Sequence, residues 1–164
     1  MRIYHGSTNI IEHPIAAAGR QRLDFGKGFY VTDIKAQAES WAERMQRIRQ
    51  ETGVVNVYEQ DMERVKATFR HFHFPRYDNE WLQFIVANRM GRIDIEQYDV
   101  IEGGVANDRV IDTLEAYMAN MMTLDVALRE LAKHQPNNQL CITNQEVIDT
   151  CMKFVESYNI KAND

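Results

Sequence analysis

The chain has 164 residues, 45% of them hydrophobic and 26% charged, which fits one domain over residues 1–164 with a sizeable core and excludes disordered and collagen-like classes. Its formal net charge of −5 comes without a dense run of lysine or arginine, so composition supplies no electrostatic footprint for nucleic acid. No stretch approaches the roughly 18 apolar residues of a membrane span, the start lacks an apolar leader core, and Cys141 and Cys151 sit among apolar neighbours; a cytoplasmic protein without disulfides is expected.

In chain order, "RIYH" predicts a first strand that the turn formers of "GST" stop. "GRQRLDFGKG" reads as a partly basic loop, and "GFYVT" as a second short strand rich in β-formers. Thr32 or Asp33 then caps a helix in which Ile34, Ala38, Trp41, Met45 and Ile48 recur at spacings of four and three, predicting one buried stripe with a stop at Gly53. Arg44, Arg47 and Arg49 on that helix read as a solvated face.

"VVNVYEQ" and the segment around "ATFRHFHF" alternate as strands do, "DNEWLQFIVANRMG" carries a cap, a helical apolar face and a closing glycine, and "YDVIEGG" returns to a strand. "DRVIDTLEAYMANMM" predicts a helix with Val110, Ile111, Leu114, Tyr117, Met118 and Met121 inward, and "TLDVALRELAKH" a further short one. "QPNNQLCIT" breaks the helical pattern and enters a strand. Thr143 and Glu146 match a capping box opening a last helix whose apolar residues are Val147, Ile148, Cys151, Phe154 and Val155. Short strands interleaved irregularly with helices, without repeats or linkers, predict a mixed α+β domain.

Two residues stand at strand ends where a cleft can form: His5, closing the first strand, and Tyr30, just after the "GKG" turn. Each alone also reads as structural. Taken with "NQLCITNQ" as a third element, "YHGS" and "GKGFYVTDIKAQAESWAER" resemble the ADP-ribosyltransferase superfamily, in the branch of the poly(ADP-ribose) polymerases and diphtheria-type toxins. Members of that branch carry a histidine, a tyrosine and a glutamate on three separated strands of a split sheet. More narrowly, the whole chain, from "MRIYHGS" through "DFGKGFYVT", "NEWLQF" and "VIEGGVAND" to "PNNQLC", is similar to a family of short bacterial proteins long described as of unknown function and grouped with that superfamily.

The resemblance implies an ADP-ribosyltransferase-like split β-sheet with flanking helices, and transfer of a single ADP-ribose unit from NAD to an unidentified protein, nucleic acid or small molecule. It implies a catalytic set of His5, Tyr30 and Gln139. In that set His5 hydrogen-bonds the ribose beside nicotinamide, the Gly6 backbone holds the carboxamide, Tyr30 stacks on the ring and Trp41 is a second stacking aromatic. Ser7 and Gly28 join the implied NAD-binding residues, and Arg20 with Arg22 would reach the pyrophosphate. Trp41 equally reads as core, and the two arginines as solvated loop charge. The same resemblance implies a toxin-type enzyme held by a neutralising antitoxin protein.

Two positions depart from that pattern: Ala38 stands where a serine often contacts the carboxamide, and Gln139 where the catalytic glutamate aligns. A glutamate there stabilises positive charge developing on the ribose, whereas glutamine accepts a hydrogen bond and brings no charge. The open readings are single-unit transfer, recruitment of another carboxylate such as Glu102 or Asp108, NAD hydrolysis with water as acceptor, or a non-catalytic NAD-binding or protein-interaction module. Asn107 and Asp108 also read as a helix cap after the "EGG" turn. His71 and His73 share one strand face but lack third and fourth ligands at a known spacing, so no metal is expected.

Overall fold

A computed structural model describes residues 1–19, 24–92 and 98–161. In chain order these form β1 (Arg2–Ser7), a 3-10 turn (Ala16–Ala18), β2 (Phe29–Val31), α1 (Lys35–Arg49), β3 (Val54–Gln60), α2 (Met62–Thr68), β4 (His71–His73) and α3 (Asn79–Arg89). They continue with β5 (Val100–Gly103), α4 (Asp108–Met118), α5 (Leu124–Leu131), β6 (Gln139–Ile142), α6 (Gln145–Cys151) and β7 (Met152–Asn159). The mixed α+β class predicted from the sequence is what the described residues form.

Two sheets carry the fold: a three-stranded one in the order β1-β3-β7, and a four-stranded one in the order β2-β6-β5-β4. The pairings are antiparallel except β4 with β5. Between the sheets runs one isolated bridge, Tyr4 to Thr32. One core cluster joins Ile3, Tyr58, Val31, Leu140 and Ile142 across that junction, beneath Val65 of α2 and Val147 and Ile148 of α6. A second cluster packs α3, α4 and α5 on the other face of the four-stranded sheet, around Trp81, Ile85, Ile101, Leu114, Leu131 and Cys141. Among the described residues no helix is long and apolar enough to cross a membrane.

Helix α1 lies on β1 with almost nothing between the two backbones. A Cβ on Gly6 would sit 2.3 Å from the Ala38 carbonyl oxygen and 2.8 Å from the Ala42 nitrogen, distances no side chain can occupy. Small residues on both partners therefore set the contact, and Ala38 and Ala42 are the buried residues of the helix. The predicted stripe is corrected accordingly: Ile34, Trp41 and Ile48 are 40%, 50% and 65% exposed, because the helix rolls its alanines onto β1. The helix also stops before Gly53, at Gln50, which takes the left-handed conformation with φ 54°.

Three further expectations change. Residues 62–68 form α2, capped by the Asp61 side chain accepting from the Arg64 N–H, so the predicted strand shrinks to His71–His73. Asn144, not Thr143, caps α6, because the Thr143 hydroxyl instead donates to the Tyr98 carbonyl. Phe154 and Val155 lie in β7, where pairing with β3 overrides the helical reading, and Met121 is 82% exposed beyond the end of α4.

The contact at Gly6 makes a direct prediction. Gly6→Ala must push α1 off β1 and is expected to cost about 2 kcal/mol, in the range of overpacked cores, lowering Tm by several degrees in a thermal melt. An unchanged Tm would mean that the helix yields freely.

Candidate functional site

The chemistry-bearing residues gather where the two sheets meet. At the bridge, the Tyr4 N–H donates to the Thr32 carbonyl at 2.8 Å and the Thr32 N–H returns to the Tyr4 carbonyl at 2.9 Å. Beside it, His5 Nδ1 lies 2.6 Å from the Tyr30 carbonyl. A carbonyl only accepts, so Nδ1 carries the proton and Nε2 keeps its lone pair. Burial lowers the His5 pKa from its ordinary value more than the Tyr30 carbonyl raises it, which favours the neutral ring. That ring lies 4.5 Å from the Phe29 ring, centroid to centroid.

Tyr30 is held by the turn that precedes it. Its hydroxyl donates to the Gly26 carbonyl and accepts the Phe25 N–H, and burial pushes the phenol pKa up. Gly26 has φ 84°, a conformation that favours glycine. The turn is anchored in turn by Asp24, whose carboxylate accepts from Arg89 Nε and Nη2 at 2.9 and 2.6 Å and from the Ala106 N–H at 2.9 Å. Gly28 presses on β6, where a Cβ would sit 2.6 Å from Cys141 Sγ. Burial in turn pushes the Cys141 thiol up to about 12.

Strand pairing decides which side chains share a face, since successive residues alternate. Phe29 pairs with Ile142 and Val31 with Leu140; Leu140 pairs with Glu102, and Glu102 with His73. These residues, with Val100 and His71, form the face toward His5 and Phe29. Tyr30 pairs with Cys141 and Gln139 with Gly103, on the opposite face. The three implied catalytic residues thus lie on adjoining strands, with His5 joined to Tyr30 through a backbone carbonyl rather than ring to ring. Gln139 is 6% exposed and its Nε2 has no hydrogen-bond partner.

The other sequence-predicted residues fall as follows. Ser7 is buried and accepts from the Asn9 N–H, closing the turn after β1. Trp41 is half exposed, with its Cβ against Gly6 and the Arg44 guanidinium over its ring at 5.5 Å. Arg20 and Arg22 lie outside the described residues. Asn107 caps α4 and Asp108 begins it.

One polar arrangement was only half visible beforehand. Glu102, 16% exposed, accepts from His71 Nε2 at 2.9 Å and from Asn138 Nδ2 at 3.1 Å. Burial opposes its charge, but these two bonds, with the charges of His73 and His71, hold the carboxyl below its ordinary pKa. The same Asn138 Nδ2 donates to Asp33 Oδ1 at 3.1 Å, while the Asn138 carbonyl accepts from Thr32 Oγ1 at 2.7 Å and Gln37 Nε2 at 3.0 Å. Asn138 therefore ties the end of β2 to β5. The signal for Glu102 was a carboxylate inside an apolar strand; Asn138 carried none, because its partners are distant in sequence. Among the described residues no group of three or more ligating side chains could hold a metal ion.

Residues 1–154 match the family described as protein of unknown function, DUF3990. The chain belongs to that family. No curated protein and no solved structure matches it. The matched residues include β1, β2 and β6, so their junction falls within the family region.

Two measurements follow from this geometry. With its folded pKa below the unfolded value of about 6.5, His5 contributes full stability above that pH and loses it as pH falls toward the folded pKa. Tm should therefore fall between pH 7 and 5, and His5→Asn, whose amide replaces the Nδ1 donor without titrating, should fall less steeply; parallel slopes would contradict the neutral histidine. Because the Gln139 amide buries an unpaired donor, Gln139→Met should raise Tm by about 2 °C, and a fall of several degrees would refute that assignment.

Proposed function

We propose that the two sheets are an ADP-ribosyltransferase-like split β-sheet and that the protein is an NAD-dependent mono-ADP-ribosyltransferase. The observation that carries the reading is His5: a histidine with a fixed tautomer and a favoured neutral ring, its Nε2 lone pair without a partner among the described residues, beside the Tyr4–Thr32 bridge between the sheets. Such a nitrogen accepts a hydroxyl proton, as the ribose beside nicotinamide requires. The strand order β1-β2-β6 for His5, Tyr30 and Gln139 and the half-exposed indole of Trp41 are further support.

In this reading the glycosidic bond between the ribose C1′ and the nicotinamide nitrogen breaks, and its electron pair leaves with neutral nicotinamide. The acceptor's lone pair forms the new bond to C1′, and its proton passes to a base. The leaving group arrives already cationic, so no acid is needed; the demand on the protein is to stabilise the positive ribose. Gln139 supplies no charge for that purpose. The Gly6 backbone can serve the carboxamide only along its edge, since α1 fills the space above its Cα. The setting is cytoplasmic, the acceptor is a protein, nucleic acid or small molecule, and a neutralising partner protein belongs to the toxin-type version of the reading.

The test is to incubate the protein with NAD labelled on the adenine side and follow free nicotinamide and labelled macromolecules from a bacterial lysate. Wild type should release nicotinamide and transfer label, and His5→Ala should lower both by about 100-fold while Tm shifts by only a few degrees. Nicotinamide release without label would point to NAD hydrolysis. Binding of NAD without release would point to a non-catalytic module, and neither binding nor release would end the proposal.

A further inference from the structure

The face that carries His5 lacks a glutamate on β6 but is not without carboxylates. By alternation Glu102 lies on that face, and Asp33, just past the bridge residue Thr32, is linked to it through Asn138. The Asn138 amide draws the two together: each accepts from the same Nδ2 at 3.1 Å, which brings these oxygens within about 6 Å of one another. That is the order of separation at which paired carboxylates act on one anomeric carbon. Their settings differ. Glu102 is nearly enclosed and kept ionised by His71 and Asn138, whereas Asp33 is exposed at the rim, open to an incoming acceptor.

We infer that Glu102 and Asp33, bridged by Asn138, are the working carboxylates of the site: Glu102 faces the ribose and stabilises its developing positive charge, and Asp33 takes the proton of the acceptor. This rests on the ADP-ribosyl transfer reading. As the bond from C1′ to the nicotinamide nitrogen breaks, the electron pair departs with nicotinamide and the ribose cation is held by the Glu102 anion. The acceptor's O–H or N–H then adds to C1′, its proton moves to the Asp33 carboxylate, and from there to water. The charge missing at Gln139 is thereby supplied from the neighbouring strand, and His71 with Asn138 are positioning residues that keep Glu102 ionised and oriented.

The experiment compares wild type, Glu102→Gln, Glu102→Asp and Asp33→Asn, recording nicotinamide release and label transfer over a range of NAD concentrations, with Tm for each. Glu102→Gln should lower kcat for nicotinamide release about 100-fold with KM for NAD within about twofold, and Glu102→Asp should retain more activity than Glu102→Gln. Asp33→Asn, at an exposed position whose amide still meets Asn138, should leave Tm unchanged and lower label transfer tenfold or more. Full activity in either Glu102→Gln or Asp33→Asn overturns the pair while leaving ADP-ribosyl transfer in place. If Glu102→Gln does not fold, Asp33→Asn alone decides by the same criterion. A wild-type protein that neither binds NAD nor releases nicotinamide overturns the transfer reading, and the carboxylate pair with it.

Discussion

The hydrogen bond from His5 Nδ1 to the Tyr30 carbonyl, beside the Tyr4–Thr32 bridge, is the constraint on which the molecule turns. Among the described residues the two sheets exchange backbone hydrogen bonds at one bridge pair, so few such bonds fix their relative pose. The core cluster beneath, from Ile3 and Tyr58 to Leu140 and Ile142, supplies the bulk of the cohesion, but apolar packing is non-directional. The histidine adds a directional bond to the two of the bridge, and making it uses up one nitrogen of the ring. What remains is a single lone pair, on a ring whose burial favours the neutral state, beside the backbone bridge between the two sheets.

The glycines that give the sequence its resemblance are explained here by the fold before any ligand is considered. Gly6 lets α1 rest on β1, Gly28 lets β2 rest on β6, and Gly26 takes a left-handed turn whose carbonyl receives the Tyr30 hydroxyl. Each tightens packing on β1 or β2. Close approach of backbone to backbone and close approach of backbone to a ligand place the same demand on sequence, the absence of a Cβ. A glycine pattern therefore speaks first for the architecture, and function has to be argued from side chains whose burial or charge the packing does not require. The unpaired Gln139 amide and the ionised Glu102 are such side chains.

Most strands and helices were legible in the sequence because their apolar period and caps agree: Asp78 before α3 and Thr123 before α5 both accept the N–H three residues on. Apart from α2, whose local cap at Asp61 was missed, the failures shown by α1 and β7 come from tertiary contact overriding local pattern. Of the predicted stripe Ala38 is buried, with Ala42 beside it, whereas Ile34, Trp41 and Ile48 are exposed, because β1 offers a glycine and nothing larger fits. Phe154 follows α6 with helical spacing but pairs with Tyr58 in the sheet. The site was legible as single residues and not as partners. His5, Tyr30 and Glu102 could each be picked out, whereas Asn138, which gathers Asp33 and Glu102, has bonds spanning 105 and 36 positions that no local pattern announces.

Alternation along a strand sharpens the question that Gln139 raises. A carboxylate at position 139 would project from the face of Tyr30 and Cys141, away from the His5 ring, whereas one strand over, at position 102, it projects toward the face of His5. Burial at 139 also leaves a donor without an acceptor, a setting in which an ionised side chain without a cationic partner would be driven to its neutral form. At 102 the same burial is answered by a histidine and an amide, and the carboxyl stays charged. In this fold a glutamine at 139 and a glutamate at 102 are consistent choices: each position carries the charge state its surroundings can hold.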